Sequence, residues 1–551
     1  MIELDFFVGN ERGIGRARYI FNKRFFKSGN QNYSLLYKIS DGEFSKSVLS
    51  KCLKLNYDFE NNEVYFWIFL KLFHSLENGG ICVPEIELIN FIKTKTKSKS
   101  IEMELAKLIS EEGAIIEKSM NSYYFKKNLV LEIELSNRFQ ELFSLKTNYS
   151  FKNYKDPNLT EEQNFALNET FKNRIGILSG GPGTGKTRTI QSILLAAIGY
   201  GIEVEKIALI APTGKAAKRL QETAKDLFTK YPNLSKPKTI HRYLDYSPRI
   251  GKFKLNEMRP VSESLIIVDE SSMIDLELMN SLLSAIPIEK ENLILLVGDP
   301  DQLLSVSKGS IFSDLCRLGK NHSKLTKPLR QDKNEGKDII ELSYLIKEGK
   351  SFSTIFDKLG ACKFIDTKLD EDSLTSILTQ LNENPNLQIL TPFNATKIGT
   401  NEINARILSS QTEKNSYPAI LNQNLYNYNL FNGEIGILSL KENQIQFKAE
   451  DSEYTLPILY NKFFEPAFAI TVHKSQGSEY NHVCLIIPAE MEKPNALLTK
   501  RILYTAITRA KKSVLIIGSF SLFEKIISNK GEPRFSNIEK RIIASKSKQE
   551  D

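Results

Sequence analysis

From about residue 151 to 334, four short apolar runs alternate with helical stretches: 175–178 (I-G-I-L), 207–211 (I-A-L-I-A), 265–268 (L-I-I-V) and 293–297 (L-I-L-L-V). The runs are apolar at consecutive positions, as buried strands require when helices cover a parallel sheet on both faces. A second alternating region begins near 335, with apolar runs at 387–390, 483–487 and 514–517. Between about 410 and 465 the pattern changes to short strands and turns, including N-G-E-I-G-I-L-S-L (432–440) and N-Q-I-Q-F-K-A (443–449), which predicts a small all-β insertion. Residues 1–150 show mixed helical periodicity and carry no catalytic pattern, so a mainly helical N-terminal domain is expected. The predicted fold is α/β, with units at 1–150, 151–334 and 335–551.

At 551 residues the chain has room for about three to four domains. A net charge of +8 favours a polyanionic partner only weakly, because richness in Lys, Asn and Ile has the same effect. The run Lys93–Ser100 reads most simply as a solvated basic loop. The five cysteines form no C-x-x-C pair, which suits reduced thiols and suggests neither a disulfide framework nor a zinc site. The first residues, M-I-E-L-D-F-F, lack a signal-peptide core, and no apolar run approaches the ~20 residues that cross a bilayer. A cytoplasmic protein with no membrane partner is expected.

The chemistry clusters just after the apolar runs, where open α/β sheets bind ligands. Residues 180–187 read G-G-P-G-T-G-K-T, between a strand and an amphipathic helix. In the loop formed by Gly180, Gly181, Pro182, Gly183, Thr184 and Gly185, the backbone N–H groups of all but Pro182 can turn around a polyphosphate, with Arg188 just beyond. Lys186 can neutralise the β- and γ-phosphates, and Thr187 can ligate Mg²⁺. After the third run, Asp269 is placed to hold Mg²⁺ through water and Glu270 to deprotonate the attacking water, unless the pair merely caps a helix. Gln302, in G-D-P-D-Q-L-L-S-V, can serve the γ-phosphate or the lytic water, whereas Asp299 and Asp301 also suit a turn beside Pro300. Gln163 follows Thr160 by three residues, as in a capping box, and its amide can also pair with adenine. Arg330 and Arg509 fall where they can reach across a cleft as arginine fingers.

In order, these clusters resemble the motif series of superfamily 1 helicases over about residues 157–520, together with A-P-T-G-K-A-A-K-R-L (211–220), T-I-H-R (239–242), I-L-T-P-F (389–393) and A-F-A-I-T-V-H-K-S-Q-G-S-E (467–479). Within the superfamily they resemble the RecD family, the alpha subunits of bacterial exodeoxyribonuclease V. That resemblance implies two RecA-like P-loop NTPase domains with ATP and Mg²⁺ between them, 5′→3′ movement on single-stranded DNA, and a heterotrimer with RecB-like and RecC-like subunits. It also implies a Src-homology-3-like barrel at 410–465 and a strand-splitting pin near 243–262. DNA contacts are implied at Pro212, Thr213, Lys215, Thr239, His241, Thr391, Pro392, Thr471, His473 and Lys474, groups able to hold phosphate without reading sequence. Nuclease activity is expected in a partner, since no Asp…Glu-x-Lys cluster follows a strand. A free-standing RecD-like helicase is the rival reading.

Overall fold

A computed structural model describes residues 64, 67–68, 71–72, 74–76 and 78–544, apart from segments 97–100, 111–115, 148–153, 248, 329–335, 351–354, 370, 383–385, 411–415, 429, 442–443, 450–452 and 489–497. Arg330, the first 63 residues and parts of the basic run, the pin and the insertion lie outside the described residues.

The first sheet is six-stranded and parallel: β1 (Ile175–Gly180), β2 (Ile207–Ala211), β3 (Lys238–Thr239), β4 (Leu265–Val268), β5 (Leu293–Gly298) and β6 (His322–Leu325), in the order β6-β1-β5-β4-β2-β3. Alternate residues feed two cores. Ile175, Ile177, Ala208, Ile210, Ile266, Val268, Ile294 and Leu296 face one, and Leu178, Ile207, Leu209, Leu265, Ile267, Leu293, Leu295 and Val297 the other. Both faces of the central strands are therefore dry, and β1, β2, β4 and β5 read as continuous apolar runs for that reason. In register, Ser179 lies beside Gly298, and Val268 beside both Leu296 and Ile210. The carboxyl ends of β1, β2, β4 and β5 consequently stand level, and the loops after them share one edge.

The second sheet is five-stranded and parallel: β7 (Cys362–Asp366), β8 (Leu387–Thr391), β9 (Ala469–Thr471), β10 (Tyr480–Ile486) and β11 (Ala510–Gly518), in the order β7-β11-β10-β8-β9. Two parallel-sheet lobes of the RecA-like kind are thus present. Between β8 and β9 lies an antiparallel sheet ordered 453–457, 444–449, 435–441, 416–421, 464–466, which closes over Leu438, Ile445, Phe447 and Leu456. A two-stranded hairpin joins Tyr246–Ser247 to Lys252–Phe253, followed by Met258, which is almost wholly exposed.

The described N-terminal residues combine helices with a small antiparallel sheet of Val83–Pro84, Ser122–Phe125 and Ile116–Ser119. The longest of these helices, α1 (Lys126–Ser144), inserts Leu135, Phe139 and Phe143 into the core beneath the first sheet. Other helices that shape the site are α2 (Glu161–Lys172), α3 (Lys186–Gly199), α4 (Gly214–Thr223) and α5 (Lys500–Ile507). After the second lobe the chain returns to the first. Helix α6 (Ile538–Ala544) sets Ile538 and Ile542 into the same core as α1. A polar cluster fixes this return. The fully buried Glu132 carboxylate accepts from Tyr124 Oη (2.9 Å), the Asn537 backbone N–H (3.1 Å) and Arg541 Nε (2.8 Å). Among the described residues no helix is long and apolar enough to cross a membrane.

Candidate nucleotide cleft and DNA edge

The loop after β1 ends at Gly185, whose φ of 82° lies in the left-handed region and lets the chain turn into α3. Lys186 Nζ donates to the carbonyls of Gly180 (2.6 Å) and Gly181 (3.0 Å), which holds the ammonium over the loop where phosphate oxygens would replace those acceptors. Thr184 Oγ1 donates to the Gly181 carbonyl. Thr160 and Gln163 form the capping box on α2, and the Gln163 amide also donates to the Thr184 carbonyl at 3.0 Å. Gln163 is therefore a brace of the loop here, with its oxygen on Thr160 N–H and its nitrogen on Thr184. Arg188 is exposed, with its charge beside Asp156.

A cleft of about 270 Å³ lies along this loop, lined by residues 181–187, Arg219, Asp269, Glu270, Gln302, Glu479 and Arg509, among others. Asp269 accepts from the Glu270 N–H at 2.9 Å. Burial, then the Glu270 charge, raise the Asp269 carboxyl above its ordinary value, while Lys186 and Arg219 oppose the rise. Glu270 sits at φ 51°, an uncommon left-handed conformation for a side-chain-bearing residue. Strained backbone of this kind concentrates at working sites. The hydroxyl of Thr187 and the Asp269 carboxylate supply hard oxygen donors on one wall, a set that suits Mg²⁺.

The loop after β5 is held by the second lobe. Arg509 Nη2 donates to Gln302 Oε1 at 2.8 Å, and Tyr504 Oη donates to Asp299 at 2.9 Å. Leu303 N–H donates to Thr505 Oγ1 at 2.9 Å, and Arg501 donates to the Gln302 carbonyl at 2.8 Å. All four partners stand on α5 or just after it, so one helix grips one loop. Asp299 is buried, and burial raises its carboxyl against the pull of Lys186. Asp299 and Asp301 do serve the turn, since Asp301 N–H donates to Asp299 at 3.0 Å. Asp299 is also a cross-lobe anchor. That role, like those of Tyr504, Arg219 and Glu479, has no local signature, although Arg219 follows Lys215 by one helical turn.

The residues expected on DNA lie at the carboxyl ends of β2, β3, β8 and β9. Pro212 and Thr213 follow β2, and the Thr213 hydroxyl caps α4 by accepting from Ala216 N–H. Thr239 caps the turn that carries His241 in the same way. Thr471 accepts from the Lys474 N–H. Thr213 and Thr239 thus stand at the first turns of helical segments, where N–H groups point outward, and Thr471 opens a run of turns. His241 packs edge-on against Tyr246 (5.4 Å between ring centres) and near Phe253 at the base of the hairpin. His473 is half-buried and held below its ordinary pKa by burial and then Arg534.

Other members are engaged inward. Thr391 and Pro392 are buried, with Thr391 Oγ1 donating to the Ile398 carbonyl. Lys474 Nζ donates to Glu465 (3.0 Å) and Asn422 (3.1 Å) on the insertion side. The Lys215 ammonium is buried without a hydrogen bond. Burial and Arg509 push it down to about 7, against the attraction of Glu434. Next to it, Gly214 admits the insertion: a Cβ there would meet the Phe431 Cβ at 2.5 Å, and Arg242 lies over the Phe431 ring at 5.4 Å.

Residues 163–308 match an AAA domain model, and residues 466–517 match a UvrD-like helicase C-terminal domain. The chain is 28% identical to the RecBCD enzyme subunit RecD of Buchnera aphidicola, over 89% of each chain. It is 27% identical to the protein of the same name in Haemophilus influenzae, over 67% of this chain and 70% of that one. To the ATP-dependent RecD2 DNA helicase of Deinococcus radiodurans it is 30% identical, over 70% of this chain and 53% of that longer one. With an AAA-type nucleotide loop in the first lobe and a UvrD-like helicase segment in the second, the chain is a superfamily 1 helicase related to the RecD-like proteins.

Proposed function

We propose that this ATP-dependent DNA helicase moves 5′→3′ on single-stranded DNA as one motor of a three-subunit, RecBCD-like complex that opens DNA ends for break repair and recombination. The observation that carries the motor reading is the cross-lobe grip of α5 on the 299–303 loop at the edge of the nucleotide cleft. A bond network spanning two lobes at the phosphate end of a cleft can convert nucleotide state into lobe position. The subunit reading is supported by the Buchnera relative, which this chain matches over 89% of both lengths. The rival, a free-standing helicase, draws on the RecD2 relative, of which the chain covers only 53%.

In this reading Gly180 through Thr187 cradle the triphosphate, with Lys186 leaving its two carbonyl acceptors for phosphate oxygens. Thr187 and, through water, Asp269 would hold Mg²⁺, which would supply charge neutralisation for the transferring phosphoryl group. Glu270 takes the proton of the attacking water, Gln302 orients that water, and Arg509 stabilises the developing charge. Arg330 is assigned the second finger. Pro212, Thr213, Lys215, Thr239, His241, Thr391, Pro392, Thr471, His473 and Lys474 form the DNA track, so those now engaged inward must turn outward when the lobes shift. The 1–150 unit is the docking module, 151–334 and 335–551 are the motors, and the 410–465 sheet is a barrel of the Src-homology-3 kind.

Native mass and turnover test this. Purified from its own cell, the chain is expected with two larger subunits, and Lys186→Gln is expected to abolish DNA-stimulated ATPase while preserving DNA binding. Recovery of the chain alone, near its own 62.7 kDa and active, would establish the free-standing alternative. Undiminished turnover in Lys186→Gln would defeat the motor assignment.

A further inference from the structure

Arg219 stands on α4, one turn after Lys215, and its guanidinium meets Glu479 of the second lobe at 2.6 Å. Both side chains line the nucleotide cleft with Asp269, Glu270 and Arg509. The pair joins α4 to the segment just before β10. Helix α4 is also the element that begins at the expected DNA edge. Thr213 caps it, Phe431 of the insertion packs on Gly214, and Gly477 of the second lobe lies against Ala216, with 3.4 Å from an ideal Gly477 Cβ to the Ala216 nitrogen.

We propose that Arg219 is a phosphate-binding residue that exchanges partners during the ATP cycle, pairing with Glu479 without nucleotide and with the terminal phosphate once it is bound, and so moves α4. The proposal rests on the reading of the cleft as the ATP site. A polyphosphate brings several negative charges beside a guanidinium that is already surrounded by Asp269, Glu270 and Glu479. Planar guanidinium forks bind phosphate oxygens in pairs, and arginine keeps its charge throughout. The same anion repels the Glu479 carboxylate and weakens the existing pair. Glu479 then remains partnered, because Lys511 Nζ lies 3.7 Å from its other oxygen. The exchange would therefore strand neither charge, and α4 would carry the displacement to Thr213 and Phe431.

The test is ATP turnover with and without single-stranded DNA, together with the affinity for fluorescent ADP, in Arg219→Ala, Arg219→Lys and Glu479→Gln. Arg219→Ala is expected to lower kcat with and without DNA, because the guanidinium meets the terminal phosphate, but to lose about tenfold more with DNA than without it, the scale of an inter-site coupling. ADP, which lacks that phosphate, should bind within about twofold of the unaltered protein. Arg219→Lys, which keeps the charge but not the fork, should recover part of the stimulation and stands in if the alanine variant does not fold. Glu479→Gln is expected to raise affinity for a non-hydrolysable triphosphate in the presence of Arg219 and not in its absence. Full DNA stimulation in Arg219→Ala, or equal losses with and without DNA, would overturn the exchange. Unimpaired turnover in a parallel Lys186→Gln sample would instead overturn the ATP site, and the exchange with it.

Discussion

Arg509 and Gln302, 207 positions apart in the chain, share a buried hydrogen bond of 2.8 Å across the two lobes. The guanidinium also donates to the carbonyls of Thr505 (3.1 Å) and Ser478 (3.3 Å), so its fork is oriented before any nucleotide arrives. Preorganised charge of this kind stabilises a transition state without a reorganisation cost. Arg509→Ala is expected to lower DNA-stimulated kcat by about 10³-fold, the lower end for an arginine finger. Arg509→Lys should rescue little, because an ammonium cannot keep the Gln302 bond and both carbonyl bonds in one plane. Steady-state turnover with an ADP-binding control checks this, and a lysine variant near wild type would contradict it.

Burial and Glu270 raise Asp269 from 3.8 to about 6. The proton is then bound more tightly in the folded protein than in the unfolded one. Ionising Asp269 costs stability progressively between those two values, and the cost is constant above them. A metal needs the carboxylate, so below about pH 6 protons compete with Mg²⁺, by up to about tenfold in apparent affinity per pH unit. Mg²⁺-dependent binding of a fluorescent ATP analogue should therefore demand more Mg²⁺ at pH 5.5 than at pH 7.5. Glu270→Gln should move that onset to lower pH. An onset that stays in place would mean that Glu270 does not set it.

Glu132 is fully buried and satisfied by Tyr124, Asn537 and Arg541. Removing one member of a buried ion pair strands its partner and costs about 3–5 kcal/mol. Glu132→Ala should lower the urea midpoint accordingly and release α6 from α1, which hydrogen exchange over residues 538–544 would detect. A Glu132→Met, Arg541→Met double variant should lose less than the single change. Equal losses would show that packing and not charge holds the junction.

At Gly214 the missing side chain is the contact. Gly214→Ala places a methyl group 2.5 Å from the Phe431 Cβ, so the insertion must shift. Overpacking of this size costs about 1–3 kcal/mol. Faster hydrogen exchange across 430–434 and weaker single-strand binding are expected. In a Phe431→Gly background, which removes the opposing Cβ as well as the ring, the same change should be nearly silent, and a persistent defect there would place its cause within α4.

The central strands of both motor sheets were legible because burial on two faces leaves an apolar run, as at Leu265–Val268 and 293–297. The edge strands Lys238–Thr239, His322–Leu325, Cys362–Asp366 and Ala469–Thr471, which are short or carry polar residues, were not. The nucleotide loop was legible because the whole device is local, and so was the Thr160–Gln163 capping box. What joins distant segments was not. Nothing near Arg219 announces Glu479, and nothing near Glu132 announces Asn537 and Arg541, some four hundred residues later. Thr391 shows a different limit. Its hydroxyl, expected on DNA, is used by Ile398, because a strand-end threonine serves a loop carbonyl as readily as a phosphate.

The return of residues 530–544 to the first lobe has a mechanical meaning. The polypeptide passes from the first sheet to the second after β6 and comes back before α6, so two separate lengths of chain bridge the lobes. A single tether allows a lobe to swivel about any axis. Two anchored tethers leave one easy axis, the line through both, and suppress twisting about the others. Any opening of the cleft is thereby confined to the swing of a door, and the residues expected on DNA would travel on an arc fixed by that line.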